Sequence, residues 1–383
     1  MHLGDRGLPV PQFLAPMAGV TNSAYRRLCR EQAELGTVAR PAGVFTCEMI
    51  TARGVAERIP KTLAMMAPDP GDPLFSVQLY GTDPVVIAKA VAIAAGELGV
   101  AHIDLNFGCP VPKVTRRGGG GVLPWKLDRF AAILQAAVRA AQPFAVPVTI
   151  KTRIGIDDDH VTMFDAGRIA ADCGIAAVTL HARTVEQAYA GHARWDAIGE
   201  LAAVVAIPVI GNGDIWEAGD ALTMMAQTGC AGVSLGRGVL GRPWLFRDLA
   251  AALTLGEAGV PALPTSTEVA RMVRRHAELL VEHFGDERHG LADLRKHMAW
   301  YFKGFSLGGD LRSDLGLVTS LAHLDDLLGR VPVGEPFPRH ELHAPRGRQG
   351  SPRVKVTLPY GWLDSRTLGG TEVGEAGDAV SGG

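Results

Sequence analysis

The run "HIDLNFGCPVPKVTRRGGGG", residues 102–121, closes an apolar stretch with Asn106-Phe107-Gly108-Cys109-Pro110 and then loosens into four consecutive glycines. A cysteine between glycine and proline belongs on a turn, so its thiol is placed to be reached. Such a thiol can give a proton to the carbanion-like carbon left when a hydride adds to its neighbour across a conjugated double bond. The glycines behind it allow backbone to fold over a bulky substrate and expel water. The other four cysteines, Cys29, Cys47, Cys173 and Cys230, are scattered, with no C-x-x-C pair, and read as packed structural residues.

A second group of residues points to an anionic cofactor. Lys151 in "TIKTRIG" interrupts an apolar run, and a lysine facing inward there needs an anion to offset its desolvation. The negatively charged N1–C2 carbonyl edge of a reduced flavin is such a partner. Gln78 in "SVQLYG" can hydrogen-bond the polar edge of the same ring, and His181 in "TLHAR" can reach the ring or its phosphate. In "APMAGVT", small residues leave room for the backbone of Pro16, Met17 and Ala18 to lie against a flat ring. "IGNGDI", with Asn212, Gly213 and Asp214, and "GVSLGRG", with Gly236 and Arg237, together read as a phosphate cradle: glycines let backbone N–H groups approach and the guanidinium adds a forked charge.

These residues share one kind of position. Apolar runs at 12–19, 43–49, 73–81, 101–108, 147–155, 176–183, 208–214 and 232–238 alternate with Ala-rich stretches of helical period. The strands read as continuous rather than alternating in polarity, which implies a parallel sheet covered by helices. Eight such units within about 250 residues favour a closed (β/α)8 TIM barrel over an open doubly wound sheet. Gln78, Asn106, Cys109, Lys151, His181, Asn212 and Arg237 all fall at strand C-terminal ends, which converge on one mouth in a barrel.

The expected organisation is a catalytic barrel over residues 1–255, a small C-terminal helical-bundle domain over 256–333 and a mobile Pro/Gly/Arg-rich tail over 334–383. The formal net charge of −2 among 383 residues gives no global attraction to nucleic acid, so any such contact must be local. The helical region's Arg271, Arg274, Arg275, Arg295, Lys296 and Lys303 are roughly balanced by acids. Residues 339–355 are distinctly basic, with Arg339, Arg346, Arg348, Arg353 and Lys355, and read equally as phosphate contacts or an inert linker. No signal peptide, spanning segment or metal-ligand spacing is read, and the expected compartment is the cytoplasm.

Taken in order, "APMAGVT", "CEM", "QLYG", "DLNFGCPVPKV", "KTRIG", "HARTVEQAYAGHARW", "PVIGNGDI" and "GVSLGRGVLGRPWLF" resemble the tRNA-dihydrouridine synthases, with the bacterial B type most alike, over about residues 8–330. The resemblance implies an FMN-bound barrel joined to a helical tRNA-binding domain, acting as a monomer on a D-loop uridine turned out of its stack. It implies that NADPH reduces the flavin, that N5 delivers hydride to C6 of uridine, and that Cys109 protonates C5. Pro16, Met17, Ala18, Gln78, Lys151 and His181 would lie against FMN, and Asn212, Gly213, Asp214, Gly236 and Arg237 would hold its ribityl and phosphate. Two stretches depart from the family pattern: "RRGGGGVLPWK" stands where Gly-Ala-Gly-Ser-Ala-Leu-Leu is commoner, and "EQAELGTVARPAGVF" is longer than usual. Competing readings are a flavin dehydrogenase of free pyrimidines or dihydroorotate, and a non-catalytic tRNA-binding folding helper.

Overall fold

The computed structural model describes residues 1–69, 71–344, 346–347 and 352–368. Eight parallel strands close into a barrel in chain order. They are β1 (Gln12–Leu14), β2 (Val44–Thr51), β3 (Ser76–Tyr80), β4 (His102–Phe107), β5 (Val148–Arg153), β6 (Val178–His181), β7 (Val209–Asn212) and β8 (Gly232–Leu235). Strand β8 pairs with β1 through Val233–Gln12 and Leu235–Leu14, which completes the circle. The first expected strand is short because the backbone turns after Ala15: the N–H groups of Val20 and Thr21 return to the Met17 carbonyl. The least regular connection, after β2, forms two short helices, 52–56 and 60–64.

One expectation about the strands is corrected. They alternate. Ile103, Leu105 and Phe107, then Val148 and Ile150, then Val178 and Leu180 join the apolar layer beneath the helices. The intervening His102, Asp104, Asn106, Thr149, Lys151 and Arg153 fall on the opposite, interior face. This interior is self-satisfying lower down. His102 bridges Ser76 Oγ (2.7 Å) and Thr149 Oγ1 (2.9 Å), while Thr149 and Gln78 donate to the two oxygens of Asp104 (2.6 and 2.7 Å). Burial lowers the His102 pKa to about 4, so its imidazole is neutral, and burial raises that of Asp104. A hairpin of strands 2–3 and 6–7, too short to leave a periodic signal, seals the opposite end with Leu3 and Leu8 against Phe13, Val44 and Ile210.

Beyond the last barrel helix (245–255) come helices 266–284, 287–301, 309–315 and 321–329. The first two sit against helix 23–36 of the barrel. Tyr25 buries its ring beside His276 and His297 and donates its hydroxyl to the Val239 carbonyl (2.5 Å). Gly241, at φ +67°, lies so close to the backbone of Trp300 and Tyr301 that any side chain would overlap them.

The described part of the segment after residue 334 is held, contrary to the mobile tail expected from its composition. Arg346 is buried and donates to the carbonyls of Leu240 (3.0 Å) and Trp300 (2.8 Å). Residues 352–368 run across the barrel, and Trp362, Leu358 and Leu363 pack with Val122, Ile156 and Val185. Anchoring comes from the buried Trp362, the half-buried Leu358 and Leu363 and several backbone bonds, which outweigh a high proline and glycine content. Residues 369–383 lie outside the described residues.

Candidate active site

A cavity of about 690 Å³ opens at the C-terminal ends of the strands. Pro16, Met17, Ala18, Gln78, Cys109, Lys151, His181, Asn212, Gly213, Asp214, Gly236 and Arg237 all line it. The barrel mouth is its floor. Trp300 of the helical region and Gly347 and Val354 of the C-terminal segment complete its walls.

Cys109 sits on a turn clamped from both sides. Asn106 Oδ1 accepts the N–H groups of Gly108 (3.1 Å) and Cys109 (3.0 Å), an Asx-type turn that ends β4. Arg153, at the end of β5, donates Nε to the Gly108 carbonyl (2.7 Å) and Nη1 to those of Thr184 and Ala188 (2.9 Å each). Asn106 is itself fixed, donating to Gln78 Oε1 (2.8 Å), and Gln78 donates to Asp104. The amide of Gln78 is thus held at both ends by the neighbouring strand β4. Cys109 is 9% exposed, and burial raises its thiol pKa, opposed by the Val111 N–H and by Arg153 and Lys151. The thiol therefore keeps its proton at neutral pH, which suits an acid better than a nucleophile.

The wall beside this turn is cationic. Register places Lys151 beside Asn106 and Thr179, and Arg153 beside His181. Burial, with Arg153 nearby, lowers the Lys151 pKa to about 7, and its ammonium has no hydrogen-bond or ion-pair partner among the described residues. His181 is pushed well below the ordinary histidine range by burial and by the charges of Arg153, Lys151, Arg183 and Arg237. Arg237 stacks over the Tyr189 ring at 4.4 Å, with Arg153 over the same ring at 5.7 Å. This concentration of positive charge in one enclosure, with Lys151 making no ion pair among the described residues, fits a phosphate-bearing, anionic ring.

Asp214 holds a different arrangement from the one its motif suggests. Its carboxylate accepts Arg183 Nη2 at 2.8 and 2.9 Å and the Ala193 N–H at 2.7 Å. The ion pair joins the loops after β6 and β7, leaving the backbone of residues 213–214, at φ +131° and +52°, to face the cavity. Asn212 Nδ2 donates to the Ser234 carbonyl (2.6 Å), tying β7 to β8 beneath the cradle.

Arg153, Arg183 and Tyr189 were not among the residues singled out from sequence. The two arginines carry a signal, each lying two residues after a chosen strand-end residue, on the same face. Tyr189 sits in a loop and carries none.

An eight-stranded barrel with a buried thiol and a cationic pocket at its mouth defines a (β/α)8 enzyme whose chemistry is assembled from strand ends. Residues 13–329 match the dihydrouridine synthase (Dus) family, and the chain belongs to it. It is 52% identical over 366 residues to a probable tRNA-dihydrouridine synthase of Mycobacterium tuberculosis, covering 95% of this chain and 92% of that protein. It is 36% identical over 344 residues to the tRNA-dihydrouridine synthase B of Xanthomonas axonopodis, covering 87% and 98%. A probable tRNA-dihydrouridine synthase of Synechocystis is 35% identical over 333 residues, covering 86% and 89%. Among the described residues no helix is long and apolar enough to cross a membrane.

Proposed function

We propose that this protein reduces specific uridines of tRNA to 5,6-dihydrouridine, with FMN as cofactor, NADPH as reductant and Cys109 as proton donor. The observation that carries this reading is that a protonated thiol shares one cavity with the residues of a cationic cradle and with Lys151, which has no hydrogen-bond or ion-pair partner among the described residues. FMN held there would supply the hydride. Lys151 offsets charge at the polar edge of the ring, and Gln78, locked between Asn106 and Asp104, presents a fixed amide. The backbone of Pro16, Met17 and Ala18 supports the ring's flat face. Arg237, His181 and the backbone N–H groups of residues 212–214 and 236 receive the ribityl chain and phosphate. Cys109 then delivers its proton to C5 of the pyrimidine from the other side.

A polyanion finds charge at the rim as well. Lys113 and Arg116, on the short helix after Cys109, are exposed. By contrast, many of the cations of the helical region are engaged: Arg275 pairs with Glu31 (2.7 Å), Arg274 with Asp325 (2.5 Å) and Lys296 with Asp293 (2.5 Å). In the basic C-terminal stretch Arg353 is paired with Asp158 and Glu186 (3.0 Å each), and Arg348 lies outside the described residues. The helical region therefore recognises tRNA more by shape than by a free basic face. A monomer acting in the cytoplasm suffices for this chemistry.

The decisive test is single-turnover oxidation of the reduced protein by unmodified tRNA, with mapping of dihydrouridine in the product. Electron transfer to tRNA is the expected result. Oxidation by free uracil or orotate instead, or tRNA binding without electron transfer, would refute it.

A further inference from the structure

The glycine run after Cys109 and the C-terminal segment, two features with no place in the chemistry above, meet in space. Gly120, at φ +59°, lies where a Cβ would come within 2.7 Å of the Cys109 carbonyl, and Gly121 donates its N–H to that carbonyl (3.1 Å). The run thus wraps directly over the backbone of Cys109. From outside it is covered by Trp362. The Trp362 ring lies against Gly118, at φ +72°, so closely that any side chain there would overlap it, and its Nε1 donates to the Val122 carbonyl (3.2 Å). Trp362 is 6% exposed.

The segment carrying Trp362 is fastened on both sides of that contact. Arg353 reaches Asp158 and Glu186, and Val354 donates its N–H to the Glu186 carbonyl (3.0 Å). Downstream, Lys126 donates Nζ to the Ser365 carbonyl (2.6 Å) and lies over the Trp362 ring at 5.0 Å. Leu127 donates its N–H to the Arg366 carbonyl (2.8 Å), and Arg366 pairs with Asp165 (2.6 Å) while covering the Trp125 ring at 4.1 Å. A loop of glycines is intrinsically loose because each has the most backbone freedom to lose. Here an indole set into the space left by Gly118 restricts it.

We propose that Trp362 is a positioning residue that clamps the glycine loop and so holds the Cys109 thiol at the cavity. The catalytic consequence rests on Cys109 being the proton donor; the clamp does not. Removing the ring frees residues 118–122 and lets the Cys109 turn open more often, so the thiol meets solvent more often and the substrate less productively.

The test uses the full-length, cofactor-bound protein with Trp362→Ala, Trp362→Phe and a chain ending at residue 351. Site-resolved alkylation by iodoacetamide is followed at Cys109, with Cys173, partly exposed beside helix 163–172, as internal control. Trp362→Ala and the truncation should raise the Cys109 rate about tenfold with Cys173 unchanged, as expected for local opening. Trp362→Phe should restore most of the protection. In turnover kcat should fall about tenfold with KM for tRNA within about twofold, the split expected when positioning rather than binding is lost. An unchanged Cys109 rate in both variants overturns the clamp, and so does an equal rise at Cys173, which would mark general unfolding. If instead Cys109→Ala stays active while Trp362→Ala still exposes the thiol, the proton-donor reading fails and the clamp stands.

Discussion

Cys109→Ala separates the proposed acid from everything that holds it. The substitution removes one sulfur and no backbone contact. Asn106 still accepts the N–H groups of residues 108 and 109, Arg153 still holds the Gly108 carbonyl, and Gly121 still donates to the carbonyl of residue 109. The cationic wall and the backbone cradle are untouched, so the protein should purify with the wild-type complement of flavin, seen in its visible absorbance. A positioned general acid is worth about 10²–10⁴-fold, and dihydrouridine formation in a single turnover should fall by that factor. The pH dependence gives an independent check. Burial raises the thiol pKa, so the acid form persists through neutral pH and the wild-type rate should decline only on the alkaline side of the ordinary thiol range. That alkaline limb should vanish from the residual activity of Cys109→Ala. A single-turnover rate within about twofold of wild type would refute the assignment, since loss of a transition-state contact must lower kcat. Lost flavin together with lost activity would also count against it, because Cys109 would then serve the fold or the cofactor.

Lys151→Met should weaken FMN retention and slow flavin reduction, checked by absorbance and stopped-flow. In the flavin-free protein the same change should stabilise. The Lys151 pKa is lowered from its unfolded value to about 7, so the buried charge penalises folding most below that pH, and the gain over wild type in thermal melts should shrink as pH rises towards the unfolded lysine value. Asp214→Asn leaves Arg183, only 1% exposed, without its counter-charge, and should cost about 2–4 kcal/mol in denaturant unfolding, less than a fully orphaned ion because the Ala190 and Gly191 carbonyls remain. Gly241→Ala forces a side chain into the Trp300–Tyr301 backbone and should lower the melting temperature and loosen the helical region, with faster hydrogen exchange over 287–301.

The eight β/α units and the chemistry at strand ends were legible because both are local. A short apolar run followed by Gly, Pro or Asn marks a strand and its end, and parallel order then brings all C-terminal ends to one mouth. That is why twelve residues chosen from positions 16 to 237 line a single cavity. Residue types suggested an acid, ring contacts and a phosphate cradle; the resemblance added the expected substrate, which pattern alone does not contain. What tertiary structure decided follows from contacts with no local trace. The polar inner face of the strands was hidden by their apolar outer one, and with it the part played by Arg153 in holding Gly108. The capture of the Asp214 carboxylate by Arg183, 31 residues away, turned a cradle residue into a brace. Most of all, composition marked the C-terminal segment as loose, whereas Trp362 lies 240 residues from the Val122 carbonyl it binds and fills a space that exists only because residue 118 has no side chain. Local propensity reports what a segment does alone; whether a distant surface offers it a fitting recess is settled only when the chain has folded.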